Sequence, residues 1–342
     1  MSASPQTPAP RPRVRPATIA IAAVVLLLPL AAALYFSRGG TRPIAGGPAQ
    51  PAADNPETAP DTGPHIRETV DSSVPPFGNL KEPRDAAWDD RGRIWIADFG
   101  NSRLRIYDAD GGSLGGWGGK GNGPYNFRDL SAVAIGGDDV YVADTWNGRI
   151  VKFGVDGTSK AAATGLFGPR GIAVAGNGNI WVSDTGNHRV VRYDSALSGL
   201  EAFGTHGAEP GQFSSPVGIA VGPSGIVYVA DTGNQRIVLL DPSGKFQSSW
   251  KVPGWERAVE PQFEVDDDGS VWATDPGSAE ALLYFDGKGQ VIDRRTSDNQ
   301  GRRFSLPTGL ALDRKNRVLY VVNTGTNTVS KLPVPAGVPR KP

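Results

Sequence analysis

The sequence predicts an all-β fold, a six-bladed β-propeller, preceded by one N-terminal transmembrane helix and a disordered linker. Three observations predict the propeller: a strand-and-turn phrase that returns six times, a repeat length that suits one four-stranded blade, and glycines beside Asp and Asn. The phrase reads Ile94-Trp95-Ile96-Ala97-Asp98, Val140-Tyr141-Val142-Ala143-Asp144, Ile180-Trp181-Val182-Ser183-Asp184, Val227-Tyr228-Val229-Ala230-Asp231, Val271-Trp272-Ala273-Thr274-Asp275 and Leu319-Tyr320-Val321-Val322-Asn323. Its spacing is forty to forty-eight residues, and an aromatic stands three places before each Asp or Asn. The 45 glycines and 29 prolines among 342 residues exceed average usage, as expected where tight turns need positive φ.

Each unit accounts for four strands. A small-apolar strand comes first, such as Gly171-Ile172-Ala173-Val174 or Gly218-Ile219-Ala220-Val221, and its small side chains suit the crowded axis. The aromatic phrase is the second strand, and segments such as Arg189-Val190-Val191-Arg192-Tyr193 are the third. A fourth follows, as in Phe246-Gln247-Ser248-Ser249-Trp250. The sixth repeat runs out near Leu332-Pro333 without an outer strand, whereas Ile66-Arg67-Glu68-Thr69-Val70 stands alone before the first repeat. The expectation is that residues 65–74 complete the last blade and remove two open sheet edges; the alternative is that they are still linker. The propeller is placed over residues 65–335, with 336–342 as a C-terminal tail.

Upstream, residues 1–16 are Pro-rich, carry Arg11, Arg13 and Arg15 and no acid, and read as a cytoplasmic tail. Residues 17–36 form an uninterrupted apolar run, long enough to span a bilayer as a signal-anchor helix. The basic flank stays inside, so the propeller faces the periplasm or cell exterior from a single-pass anchor in the cytoplasmic membrane. A cleaved signal peptide is the rival reading, with Ala31-Ala32-Ala33 as its cleavage site, and it leaves the propeller on the same side. Residues 37–64 are dominated by Gly, Pro, Ala and Thr and read as a tether.

Composition excludes several kinds of chemistry. Cys is absent, so disulfides, thiolate metal sites and cysteine nucleophiles are ruled out. Lys+Arg and Asp+Glu are both 35, so no net field draws the chain to nucleic acid or an anionic surface. No Gly-x-Ser-x-Gly elbow or phosphate loop is present. Three histidines, His65, His188 and His206, fall in unrelated segments and do not suggest a zinc site. Glu264 takes the place of Ala173 or Ala220 in an inner strand; it is the weak metal candidate, with Asp275 and Glu280 as helpers, or else it pairs with a neighbouring Arg. Asp266-Asp267-Asp268-Gly269 resembles a calcium loop but falls at a hairpin turn.

At Asp184-Thr185-Gly186-Asn187-His188-Arg189 and Asp231-Thr232-Gly233-Asn234-Gln235-Arg236 the sequence resembles the NHL-repeat family, over about residues 80–334. The resemblance implies that Asp98 with Arg103, Asp144 with Arg149, Asp184 with Arg189 and Asp231 with Arg236 each close a turn by a charge-assisted bond. These carboxylates are therefore expected to hold blades rather than a metal. Repeats five and six depart from the pattern, with Glu280 and Thr328 where Arg is expected. Related propellers include zinc lyases and calcium lactonases, so the resemblance also admits a metal-dependent lyase or lactonase-like hydrolase, with calcium as its cofactor. Some NHL domains bind RNA, but an extracytoplasmic domain is not expected to meet it. The domain is also similar to the sensor propellers of bacterial receptor kinases.

In a propeller the turns between second and third strands share one face with the blade-to-blade loops. That face would gather Arg84, Phe99, Trp117, Arg128, Trp146, Arg170, His188, Gln235, Trp255, Arg257 and Arg303. Aromatics beside Arg are the residue types of interface anchors. Phe127, Phe213 and Trp255 have the alternative of folding back to cap their own blades. The expected function is a non-enzymatic scaffold or sensor that needs no cofactor and binds a protein or an anionic envelope ligand on this face.

Overall fold

The structure is a computed structural model, and it describes residues 63–252, 255, 260–277 and 279–335. The predicted cytoplasmic tail, the apolar segment 17–36, most of the linker, Arg257 and the C-terminal tail lie outside the described residues. Among the described residues no helix is long and apolar enough to cross a membrane.

Six antiparallel sheets follow one another along the chain. Blade 1 holds β1 (His65–Asp71), β2 (Asp85–Trp88), β3 (Arg93–Asp98), β4 (Arg103–Asp108) and β5 (Ser113–Gly118). Blade 2 is β6 (Leu130–Gly136), β7 (Asp139–Asp144), β8 (Arg149–Gly154) and β9 (Ser159–Thr164). Blade 3 is β10 (Pro169–Val174), β11 (Ile180–Asp184), β12 (Arg189–Tyr193) and β13 (Glu201–Phe203), and blade 4 is β14 (Pro216–Val221), β15 (Val227–Asp231), β16 (Arg236–Leu240) and β17 (Phe246–Lys251). Blade 5 is β18 (Phe263–Val265), β19 (Val271–Asp275), β20 (Ala281–Phe285) and β21 (Val291–Arg295); blade 6 has β22 (Pro307–Asp313), β23 (Val318–Asn323) and β24 (Thr328–Pro333).

The recurring aromatic of each second strand explains why the sheets stack radially. Trp95 packs with Val140 and Phe153 of blade 2, Tyr141 with Ile180 and Val182 of blade 3, and Trp181 with Val227 and Val229 of blade 4. Tyr228 meets Val271 of blade 5, Trp272 meets Leu319 and Val321 of blade 6, and Tyr320 meets Ile94 and Ile96 of blade 1. Six buried rings thus seal six seams, each worth about 1.5–3 kcal/mol or more by area. At the axis the backbones are close: a Cβ on Gly171 would lie 2.2 Å from the Val217 carbonyl oxygen, and one on Gly218 equally near that of Pro261. That proximity explains the glycine that opens the inner strands.

The expectation that residues 65–74 complete the last blade is overturned. β1 pairs with β5, giving blade 1 a fifth, outermost strand in the order β1-β5-β4-β3-β2, while blade 6 keeps three strands. The physical reason lies in β5, where Gly115 (φ 112°) opposes Ile66 and a Cβ would meet the His65 carbonyl oxygen. A glycine edge accepts this close strand. Closure rests instead on the seam between blades 6 and 1. The Thr324 hydroxyl donates to the Pro83 carbonyl (2.5 Å), Glu82 N–H to Asn327 Oδ1 (2.6 Å) and Tyr320 O–H to the Ala109 carbonyl (3.1 Å).

Candidate functional site

The upper face is built on four repeated turns. After the Asp that ends the second strand, one turn of 3-10 helix runs over Phe99–Asn101, Thr145–Asn147, Thr185–Asn187 or Thr232–Asn234, and the next residue is left-handed: Ser102, Gly148, His188 or Gln235. Within the turn, Asp98, Asp144, Asp184 and Asp231 bond the Nε of Arg103, Arg149, Arg189 and Arg236 at 2.6, 2.7, 2.7 and 2.7 Å. The same Oδ2 accepts the side-chain amide of the intervening Asn, and Oδ1 accepts the backbone N–H of Lys81, Arg128, Phe167 or Ser214. Every carboxylate is fully buried and saturated, so these groups hold loops and are not aimed at an ion. Arg236 continues outward to the carbonyls of Ala208 (2.6 Å) and Gln212 (2.9 Å), which ties the blade-to-blade loop to the turn.

Those loops place two predicted residues at the axis. Arg84 and Arg170 occupy the same register in blades 1 and 3, each between a proline and the inner-strand residue, Asp85 or Gly171, that pairs with Ala97 or Ser183. Both reach one carboxylate, Glu260, at the entrance to blade 5: Arg84 Nη1 lies 2.5 Å from Oε2, and Arg170 Nη1 bonds Oε1. The Arg84 guanidinium also lies 4.3 Å over the Phe99 ring. Burial lowers the affinity of Arg84 for its proton, and burial with the like charge of Arg84 brings Arg170 down to about 10. Both remain cationic at neutral pH. Asp129, half-buried opposite both arginines, is pushed upward by burial despite their attraction.

Three stretches match the NHL repeat family model, residues 80–107, 168–193 and 213–238, and these are blades 1, 3 and 4 of the ring. The chain carries NHL repeats. Solved propellers superpose on it at low identity, and the likeness concerns the fold. An auxiliary nutrient binding protein from Bacteroides thetaiotaomicron has a TM-score of 0.58 and 13% identity over 74% of this chain and 69% of that one. A second, from Bacteroides ovatus, gives 0.58 and 16% over 78% and 75%. An inactive variant of virginiamycin B lyase from Staphylococcus aureus gives 0.52 and 17% over 73% and 84%. No curated protein matches the chain.

The remaining predicted residues divide by burial. On this propeller with its NHL repeats Trp146 is 47% exposed, and Arg128, Gln235 and Arg303 are exposed as well. His188 is half-buried, its Nδ1 accepts the Ser215 N–H (3.0 Å), and its ring centroid lies 4.3 Å from that of His206. Burial and the neighbouring His206 lower its basicity. Trp117 and Trp255 are corrections. Trp117 lies in the seam between blades 1 and 2, edge-on to Trp95 (5.8 Å) and Phe153 (5.1 Å), because β5 directs it inward. Trp255 is buried on Phe263, 5.9 Å away, filling the start of the short β18. Phe127 and Phe213 are fully buried too, folded back onto their own seams.

Glu264 pairs with Arg314 Nη2 at 3.3 Å, and burial raises its carboxyl. Among the described residues no group of three or more His, Cys, Asp or Glu could hold a metal ion. Asp266 opens the hairpin turn between β18 and β19 and takes both Nη atoms of Arg317 at 2.8 and 2.6 Å. Sequence reasoning missed Glu260, Asp129 and Asp85. Asp85 is a buried acid in an inner strand where blade 3 has Gly171, and that substitution of an acid for a small residue was a readable signal.

Proposed function

We propose that this chain is a membrane-anchored extracytoplasmic binding propeller, a scaffold or sensor that takes a protein or an envelope ligand on its upper face without catalysis. The observation that carries the reading is the axial pair Arg84 and Arg170, brought to one mouth from blades 1 and 3 with Phe99 beneath the first. Exposed Trp146, Arg128, Gln235 and Arg303, on the second-to-third-strand turns and blade-to-blade loops, add interface-forming side chains. The two Bacteroides relatives in fold are nutrient-binding proteins, which supports a ligand-binding role. The apolar run over 17–36 supports tethering to the cytoplasmic membrane, with the linker giving the propeller reach.

The test is affinity capture from the native envelope with the full chain. Wild type is expected to retain a ligand that Arg84→Ala with Arg170→Ala loses, and that Trp146→Ala with Gln235→Ala weakens. Equal capture by all three proteins would discard the upper face as the binding surface. Stoichiometric calcium or zinc in purified protein, lost on Glu264→Ala, would replace this reading with a metal-dependent lyase or hydrolase.

A further inference from the structure

At the axis one side chain of this protein already makes the bonds that an external anion would make. Glu260 gives one oxygen to Arg84 and the other to Arg170, bridging blades 1 and 3 from the entrance to blade 5. Three further observations separate this arrangement from an ordinary staple.

The first is a break in the repeat. Thr145, Thr185, Thr232 and Thr324 all follow the terminal Asp or Asn of their second strands, and each hydroxyl donates to an inner-strand or loop carbonyl: Pro169, Pro216, Ser215 and Pro83. Blade 1 has Phe99 there, which forgoes that hydrogen bond and lies under Arg84. The second is spare donor capacity. Arg84 Nε is buried and has no hydrogen-bond partner, so the resident carboxylate does not exhaust the guanidinium. The third is charge. Among the described residues Glu82, Asp129 and Glu260 act on the pair and Arg128 acts on Asp129, so three cations balance three anions. With Glu260 withdrawn the mouth carries one uncompensated positive charge. A single carboxylate restores neutrality, whereas a phosphate dianion would overshoot it beside Asp129.

We infer that Arg84 and Arg170 form a carboxylate-recognition site, and that Glu260 is its built-in occupant, exchanged for the carboxylate of an acidic ligand. Arg is suited to the task because its planar fork matches a carboxylate and stays charged when partly buried. The inference rests on the upper face being the binding face. It adds the ligand's chemical class and a resident competitor that keeps weak anions out.

The experiment is thermal unfolding of full-length Glu260→Gln with sodium acetate, against sodium chloride and sodium sulfate at equal ionic strength. Glucuronate and acetyl-glutamate amide are parallel arms, and whichever acts at lower concentration tells a sugar acid from an acidic side chain. The expected result is a carboxylate-specific rise in melting temperature, about 5 °C at a hundredfold excess over the dissociation constant. Wild type is expected to shift far less, and Glu260→Gln with Arg170→Ala not at all. A Glu260→Gln protein that responds equally to sulfate, or to no anion, overturns the proposal and leaves Glu260 as a staple. Should that variant fail to fold, Glu260→Asp keeps the charge on a stem one methylene too short to serve both arginines. Acetate is expected to stabilise it, and no response would be equally damaging. Failure here with capture still weakened in Trp146→Ala with Gln235→Ala leaves the upper-face reading standing; unchanged capture in every variant removes that reading instead.

Discussion

Arg236→Ala should rank with Arg149→Ala as the more damaging of the turn-arginine substitutions, above Arg103→Ala and Arg189→Ala. Its Nε lies 2.7 Å from Asp231 Oδ2, and the side chains are 10% and 0% exposed. Its Nη atoms hold the carbonyls of Ala208, Glu209 and Gln212. Truncation leaves Asp231 buried with the Ser214 N–H and the Asn234 amide but without a cation, and it strips three loop carbonyls of their donor. Removing one partner of a buried ion pair costs about 3–5 kcal/mol. For a domain of this size about 2 °C of melting temperature accompanies each kcal/mol, so a fall of roughly 6–10 °C is expected. Arg189 bonds Asp184 at the same distance but is 28% exposed, so water recovers much of the loss. Arg189→Ala should cost about 1–2 kcal/mol once solvent screening is allowed for. The assay is thermal and urea unfolding of the full chain followed by tryptophan fluorescence. Adding Asp231→Asn to Arg236→Ala should recover part of the loss, because no buried charge then remains. Equal melting temperatures for Arg236→Ala and wild type, or equal damage from Arg189→Ala, would refute the reasoning.

Asp85→Asn should stabilise the protein at neutral pH. Burial raises the Asp85 carboxyl well above its ordinary range, outweighing the N–H groups of Val133, Ala86 and Leu310 that favour its charged form. A raised carboxyl contributes its stability below about pH 4 and loses it as pH climbs through the folded value, each tenfold change in proton affinity being worth about 1.4 kcal/mol. The gain of the variant over wild type, read by urea midpoints from pH 4 to 8, should therefore grow with pH; a constant difference would show that charge is not the cause. Replacing residues 65–71 by a Gly-Ser segment should leave a cooperatively folded ring with a modestly lower melting temperature, since β1 pairs with the outer strand of blade 1 and not with β24. Loss of the cooperative transition would show that β1 closes the ring after all.

The turn chemistry was legible because it is local: Asp and Arg five residues apart close the same turn wherever the phrase occurs, and four of four pairs form. The seam aromatics were legible for the same reason, since alternation within a strand fixes which face Trp95 or Tyr320 presents. Loop residues carry no such period. Trp117 and Trp146 both sit near blade turns, yet the first fills a seam and the second meets solvent, and only the gap left between neighbouring sheets chooses between them. β1 reads as a strand from its residues, but its partner was decided by the glycine edge of β5.

By itself the sequence determined the number of sheets, the strands within each repeat and the buried ion pairs that brace their turns, because each depends on contacts a few residues apart. Tertiary structure decided the axial site. Arg84 and Glu260 are 176 residues apart, and they meet because the angular step between sheets, repeated around the ring, returns blade 5 to within reach of blade 1. No local pattern encodes that sum of angles.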